Sequence, residues 1–97
     1  MPRIRIVSIP EGPGIPEEIR KEWVGIEFEA EGPVQITVQS VTDPTEFHDF
    51  LEVYKVSTDV ALQALKKKSH EAWRWFMANA TAPTLCFKTE SCEVIRD

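Results

Sequence analysis

Apolar and polar residues alternate most regularly over residues 34–39, where Val, Ile and Val are separated by Gln, Thr and Gln. A period of two sends successive side chains to opposite faces of a strand, so this segment is predicted to be a strand with one packed and one solvated face. Residues 22–29 alternate in the same way and predict another strand. Because the turn-forming sequence Glu-Gly-Pro lies between the two at 31–33, we expect them to form an antiparallel hairpin.

Two further strands are predicted from shorter patterns. Residues 3–9 alternate isoleucine with arginine at their start, which predicts a first strand with one buried face. Residues 51–56 predict a fourth strand, with Leu51 and Val53 on one face and Glu52 and Tyr54 on the other.

Two helices are predicted after the fourth strand. N-cap candidates at 57–59 precede apolar residues at helical spacing, and lysines at 66–68 end the first helix. Ser69 is predicted to cap the second helix, whose inner face is formed by five residues: Ala72, Trp73, Phe76, Met77 and Ala80. A helical turn is predicted over residues 16–21, and two final strands on either side of a turn at 89–91.

This order of elements predicts an α+β fold in a single domain over residues 1–97. A chain of 97 residues has the length of one domain. Strands followed by helices and then by strands favour a mostly antiparallel sheet with the helices on one face. The specific form we expect is a small curled sheet, or a partly open barrel, with the two helices as an insertion.

Charge and composition exclude several classes of function. The formal net charge is -5 at pH 7, and the one basic run is at 66–68, whereas nucleic-acid binding uses clustered Lys and Arg. No segment reaches the roughly 20 apolar residues of a membrane span, and the N-terminal residues lack the apolar core of a signal peptide. We therefore expect a cytoplasmic protein that binds neither nucleic acid nor membrane, and whose two cysteines stay reduced.

The chain carries no catalytic signature, and we assign no catalytic residue. Cys86 and Cys92 lie outside any nucleophile motif, and His48 and His70 are the only imidazoles that could activate them. The apolar neighbours of Cys86 predict a buried, inert thiol. The two cysteines lack the close spacing of a zinc site, and the loop at 12–14 lacks a phosphate-binding pattern, so we expect neither a metal nor a cofactor.

Four residues form the candidate partner-binding surface: Trp23, Gly25, Phe47 and Trp75. Both tryptophans fall off the apolar stripe of their predicted elements, Gly25 leaves a notch without a side chain, and Phe47 lies in the loop before the fourth strand. One interpretation is an exposed aromatic patch with an acidic rim, suited to a protein partner. The alternative is that the rings form a second small core beneath the loops.

The segment Pro-Glu-Glu-Ile-Arg-Lys-Glu-Trp-Val-Gly at 16–25 resembles a segment of small uncharacterised bacterial proteins of about this length, a family of unknown function. Trp23, Val24 and Gly25 are the matching core, and a helix with aromatic residues follows later in those proteins as it does here. The resemblance implies no activity, so no functional residue is carried over from it.

The sequence supports two hypotheses about function. The first is a non-catalytic protein-binding, regulatory or accessory module that binds a protein partner, or a second copy of itself, through the aromatic patch. The second is a small-molecule-binding protein or minor enzyme with a pocket between helix and sheet, using Cys86, His48 or His70 as polar groups.

Overall fold

The computed structural model describes residues 1–12, 14–39 and 48–95, with the backbone alone at 37–39 and 48–50. In chain order its strands and α-helices are β1 (Arg3–Ile6), α1 (Glu17–Arg20), β2 (Glu27–Glu29), β3 (Glu31–Gln39), β4 (His48–Ser57), α2 (Thr58–Lys68), α3 (His70–Asn79), β5 (Thr84–Lys88) and β6 (Cys92–Ile95). Two short 3₁₀ helices lie at Lys21–Trp23 and Thr89–Ser91.

The strands of the described residues form two antiparallel sheets of three strands each. Sheet 1 has the order β2-β1-β6, and sheet 2 has the order β3-β4-β5. The predicted α+β class is confirmed. In the part of the chain that the structure describes, two small sheets replace the expected single curled sheet, and they do not close into a barrel.

The predicted hairpin between the second and third strands is wrong. β2 pairs with β1 and β3 pairs with β4, so the chain passes from sheet 1 to sheet 2 at residues 30–33. Gly32 has a φ of +123° there, and a bulge interrupts β3 between Glu31 and Val34. A Cβ on Gly32 would lie 3.0 Å from the carbonyl oxygen of Val53, so this bend requires glycine. The turn residues mark a passage between sheets.

The 3₁₀ helix at Thr89–Ser91 makes the return passage. β5 pairs with β4 in sheet 2, whereas β6 pairs with β1 in sheet 1. Cys86 and Cys92, which a hairpin would place on one face, therefore lie in different sheets, and both are free thiols.

One hydrophobic core joins the two sheets to α2 and α3. Its largest fully buried side chains are Ile4 and Ile6 of β1 and Leu65 of α2. The other buried members come from most of the remaining elements, but not from β3 or β6: Ile19, Trp23, Ile26, Phe28, Ala30, Tyr54, Val56, Ala61, Leu62, Ala72, Phe76 and Phe87. The inner faces of both sheets therefore share the same pair of helices.

Trp23 connects three parts of this core. Its ring meets Phe76 of α3 edge-on at a centroid distance of 5.3 Å, and Phe87 of β5 at 5.1 Å. Phe28 of β2 continues the cluster, with its ring centroid 5.6 Å from that of Phe87. Edge-to-face pairs contribute about 0.5–1.5 kcal/mol each beyond the area they bury. The 3₁₀ helix, α3 and sheet 2 thus meet at this indole, and sheet 1 joins the cluster through Phe28.

Both longer helices begin at the predicted serines. Ser57 Oγ accepts a hydrogen bond from the backbone N–H of Val60 at 3.2 Å, and Ser69 Oγ accepts one from Ala72 at 3.2 Å. Such caps satisfy N–H groups that the first turn of a helix leaves without a partner. Ser69 is also the residue that ends α2, so the two helices are joined by a single residue.

The inner face of α3 is narrower than predicted. Ala72 and Phe76 are buried, and Trp73 and Trp75 are partly buried on either side of them. Met77 is 58% exposed, so its predicted place on the inner face is wrong. Each residue advances about 100° around a helix, which carries Met77 past the edge of the core.

Replacing Trp23 with alanine should lower the free energy of unfolding by about 3–5 kcal/mol, because a large cavity would replace the ring. Met77→Ala, on the exposed flank of α3, should change the free energy by less than about 0.5 kcal/mol. Urea denaturation followed by circular dichroism measures both. If Trp23→Ala does not fold, Trp23→Phe, which keeps one ring, provides the comparison. Equal losses at positions 23 and 77 would contradict the central place of Trp23.

Candidate functional site

Sheet 2 carries apolar residues on both faces. Directly opposed residues of an antiparallel sheet share a face, and successive residues of a strand alternate between faces. β4 directs Tyr54 and Val56 toward the helical core, where Phe87 of β5 lies opposite Tyr54. Leu51 and Val53 therefore belong to the other face of the sheet.

That other face holds a cluster that we call the outer apolar face, formed by four residues: Val34, Ile36, Leu51 and Val53. Val34 lies directly opposite Val53, and Ile36 lies opposite Leu51. Val53 is 2% exposed, and the other three are partly buried. None of the four belongs to the main core cluster. β3 thus presents its regularly spaced apolar residues on the side of the sheet away from α2 and α3.

A paired lysine borders the outer apolar face. Lys88 lies opposite Val53 on the β5 side, and its Nζ donates a hydrogen bond to Glu11 Oε2 at 2.6 Å. This hydrogen bond raises the pKa of Lys88 and lowers the pKa of Glu11. Glu90 Oε1 lies 4.0 Å from the same ammonium. The charge at this border is therefore already matched by carboxylates of the same chain.

The outer face of sheet 1 has the opposite character. Arg5 pairs with Glu27 at 3.2 Å and with Glu93 at 2.8 Å, and Arg3 lies 3.7 Å from Glu27. Hydrogen bonding to Glu27 is the main cause that raises the pKa of Arg5. Ion pairs of this kind keep a sheet face hydrated, although exposed pairs contribute little to the free energy of unfolding. One sheet therefore presents charges to its surroundings, and the other presents Val, Ile and Leu.

Trp23 and Gly25, two of the predicted partner-binding residues, have structural explanations. The Trp23 ring is core, so the alternative of a buried cluster holds for it, and it presents no surface to a partner in this conformation. Gly25 is exposed, and an added Cβ would meet no atom within 4 Å. Its φ of +92° turns the chain from the 3₁₀ helix into β2, where its N–H donates to the carbonyl of Ile6 at 2.7 Å.

Trp75 is the described aromatic residue of the predicted patch that keeps some exposure. It is partly buried, with its ring edge-on to Phe76 at a centroid distance of 5.1 Å. Phe47 lies outside the described residues. The described part of the predicted aromatic patch therefore contains one partly exposed ring and one open glycine.

The lysine run at the end of α2 makes contacts within the chain. Lys66 Nζ lies 4.4 Å from the ring centroid of Trp73, and His70 stacks on the same ring at 5.1 Å. Lys68 donates a hydrogen bond to the backbone carbonyl of Val24. Two of the three lysines thus contribute to holding the helices and the turn before β2.

The thiols do not form a catalytic pair with the described imidazole. Cys86 is exposed, so the expectation of a buried thiol there is wrong, because its position in β5 faces away from the core. Cys92 is partly buried, and burial raises its pKa to about 11. Among the described side chains, neither thiol is hydrogen-bonded to His70, which stacks on Trp73 instead. The side chain of His48 is not among those described.

Two concave sites bear on the small-molecule alternative. A cavity of about 70 Å³ lies beside Cys86, with Trp23 and Phe76 among its lining residues. A more open cleft of about 340 Å³ between the sheets includes Glu31 and Lys55 in its lining. The first is well below the roughly 300–1,000 Å³ of ligand sites, and the second contains none of the thiols or imidazoles that this alternative uses.

Within residues 1–12, 14–39 and 48–95, no three His, Cys, Asp or Glu side chains are grouped so that they could hold a metal ion. No helix in these same ranges is both long enough and apolar enough to cross a bilayer. Comparison with protein-family models, with curated proteins and with solved structures finds no match for this chain. Its function is therefore argued from its own surface.

The outer apolar face is not among the predicted candidate sites, although the sequence holds a signal for it. β4 was expected to show Leu51 and Val53 on one face, yet Tyr54 and Val56 on the other face are also apolar. A strand that is apolar on both faces needs two packing partners. The helical core supplies one of them, through Tyr54 and Val56.

Gly25→Ala should lower the free energy of unfolding by about 1–2 kcal/mol, because alanine is strained at a positive φ even where there is space for its methyl group. Gly25→Asn should lower the free energy of unfolding by less, since asparagine tolerates this conformation better than alanine does. Urea denaturation of the three proteins provides the measurement. An alanine variant as stable as the wild type would remove the conformational explanation and return Gly25 to the partner-binding candidates.

Cys92 should react slowly with iodoacetamide. With a pKa of about 11, about one thiol in a thousand is ionised at pH 8, against about one in four for an ordinary cysteine. Cys86→Ser leaves Cys92 to be measured alone, and Cys92→Ser leaves the exposed Cys86. We expect alkylation at pH 8 to be about 100-fold slower in Cys86→Ser than in Cys92→Ser. The rate in Cys86→Ser should still rise above pH 10. A rate for Cys92 that levels off below pH 9 would be the contrary result.

Proposed function

We propose that this protein is a non-catalytic protein-binding module that acts in a regulatory or accessory role, and that it binds its partner through the outer apolar face of sheet 2. This keeps the class of function expected from the sequence and moves the surface from the tryptophans to the sheet. The observation that carries the proposal is the position of Val34, Ile36 and Leu51, which are partly exposed and lie outside the core.

The contrast between the two sheets supports this choice of surface. Sheet 1 shows what a solvated face looks like in this chain, with Arg3 and Arg5 paired to glutamates. The outer apolar face instead has aliphatic residues at its centre and a charge-paired Lys88 at its border. An apolar centre with a polar rim is the usual composition of a protein interface.

The small-molecule alternative has weaker support. It needs a pocket with convergent polar groups, and the cavity beside Cys86 has room for little more than a few atoms. The raised pKa of Cys92 also disfavours a thiolate nucleophile at that position.

Leu51→Lys tests the proposal, because it places a charge in the middle of the outer apolar face on the central strand. Gln63→Lys, at an exposed position of α2, is the matched control with the same change of charge. Each protein is immobilised, exposed to native lysate, and the retained proteins are quantified by mass spectrometry. The strongest retained protein is then purified and titrated against all three proteins by calorimetry.

We expect Leu51→Lys to weaken binding of that partner at least tenfold and Gln63→Lys to change it less than twofold, since a buried unpaired charge at an interface is costly. Thermal unfolding by circular dichroism checks that both variants are folded. Equal affinities for all three folded proteins would remove the outer apolar face as the binding surface.

A further inference from the structure

The described sheets have four edge strands, and β3 differs from the other three. β2, β5 and β6 contain three to five residues, and each includes at least one charged residue. β3 contains nine residues, and none after Glu31 is charged. Short length, charged side chains, bulges and proline are devices by which sheet edges avoid pairing with other chains, and in β3 the bulge and Pro33 lie before residue 34. Residues 34–39 themselves carry no charge, no proline and no glycine.

One edge of β3 is paired with β4, and no strand among the described residues pairs with the other. An unpaired strand edge presents a row of backbone donors and acceptors that pair with water or with another strand. Because residues 34–39 are rich in β-branched side chains, they hold the extended form that such pairing needs.

We propose that two copies of this chain pair through the free edges of β3, in antiparallel orientation, to form a symmetric dimer. The pairing goes beyond the binding proposed above, because it uses the edge of β3, whereas that binding uses the outer apolar face. Each proposal can therefore fail without the other.

The register of this pairing follows from the alternation along β3. A two-fold axis through Ile36, perpendicular to the sheet, sets Ile36 opposite its own copy and Gln35 opposite Thr37 of the partner subunit. Residues of equal parity then face each other, so the same face of both sheets lies on the same side. The result is one sheet of six strands in the order β5-β4-β3-β3-β4-β5, with the two outer apolar faces joined.

Charge favours this edge over those of β2 and β6. Each copy carries a formal net charge of -5 at pH 7, so two copies repel each other over most of their surfaces. Pairing through β2 would bring Glu27 and Glu29 toward their own copies, and pairing through β6 would do the same with Glu93. Pairing through residues 34–39 brings no charged residues of β3 together.

The size of the contact sets the strength of the dimer. The axis through Ile36 pairs residues 34–38 of each copy, and a contact of five residues from each copy buries less than the roughly 1,200–2,000 Å² of a stable protein interface. The dimer should therefore be weak and dependent on concentration, with monomer predominant in dilute solution.

Sedimentation equilibrium tests the association, and single cysteines test the register. The average molar mass of the wild type should rise from 11.1 kDa toward twice that value between about 10 μM and 1 mM protein.

In a Cys86→Ser background, Ile36→Cys would place two thiols across the two-fold axis, with Cα atoms about 4.5–5.5 Å apart. Leu51→Cys is the matched control on the same face, where the two Cα atoms would be about 14 Å apart across three strand spacings. A disulfide requires less than about 7 Å.

We expect copper phenanthroline to cross-link Ile36→Cys at least tenfold faster than Leu51→Cys, on a non-reducing gel at 500 μM protein. A mass that stays at 11.1 kDa up to 1 mM overturns the proposal. Cross-linking of Leu51→Cys at the rate of Ile36→Cys also overturns it, because the two sheets would then pack face to face. If the dimer fails and the effect of Leu51→Lys on a purified partner remains, the proposed function stands alone.

Discussion

The two described sheets pack on the same helix, and this constraint decides what their surfaces can be. α2 contacts β2 of sheet 1 and both β4 and β5 of sheet 2, and α3 packs against α2 in the same core. Each sheet keeps a second face that these helices cannot cover. Apolar area left in water costs about 25 cal/mol per Å², so such a face favours polar residues or another cover. Sheet 1 carries arginine–glutamate pairs on its second face, whereas among the described residues sheet 2 leaves Val34, Ile36 and Leu51 partly exposed.

The shared core depends in turn on one indole. Trp23 lies in the 3₁₀ helix, which is held between α1 and the turn at Gly25, and it contacts α3 and β5 through Phe76 and Phe87. Lys68 supports the same region, because it ties the end of α2 to the carbonyl of Val24. The segment at 16–25 thus ties α2 and α3 to sheet 2 and to the turn before β2. Its distinctive residues are explained by packing and by backbone conformation, without a partner.

The sequence predicted local structure well wherever a local interaction decides it. Ser57 and Ser69 cap the helices because a serine hydroxyl needs only the next three residues to make its bond. Strands were predicted from the alternation over residues 34–39 and from the apolar positions of β1, and the structure has strands at both places. The α+β class followed from the order of these elements.

Pairing and orientation could not be predicted from the same patterns. Glu-Gly-Pro at 31–33 has the composition of a hairpin turn, and the same composition serves a bulged passage between sheets. Trp23 was assigned to the solvated side of a strand because a period of two was applied to residues that form a 3₁₀ turn. The side of sheet 2 that receives the helices depends on long-range packing of Tyr54, Val56 and Phe87. The outer apolar face follows from that choice, so only the folded structure shows it.

The energetics of the outer apolar face explain why its edge matters. Covering the partly buried side chains of Val34, Ile36 and Leu51 would contribute on the order of 1 kcal/mol each, since full burial of such residues contributes about 1.5–3 kcal/mol. Association costs roughly 4–15 kcal/mol in lost translation and rotation, so one such face holds a partner only weakly. A dimer paired through β3 sets two of these faces side by side in one sheet. A partner that contacts both gains from the high effective concentration of the second face once the first is bound. In this arrangement the uncharged edge and the apolar face, each weak alone, act together in binding.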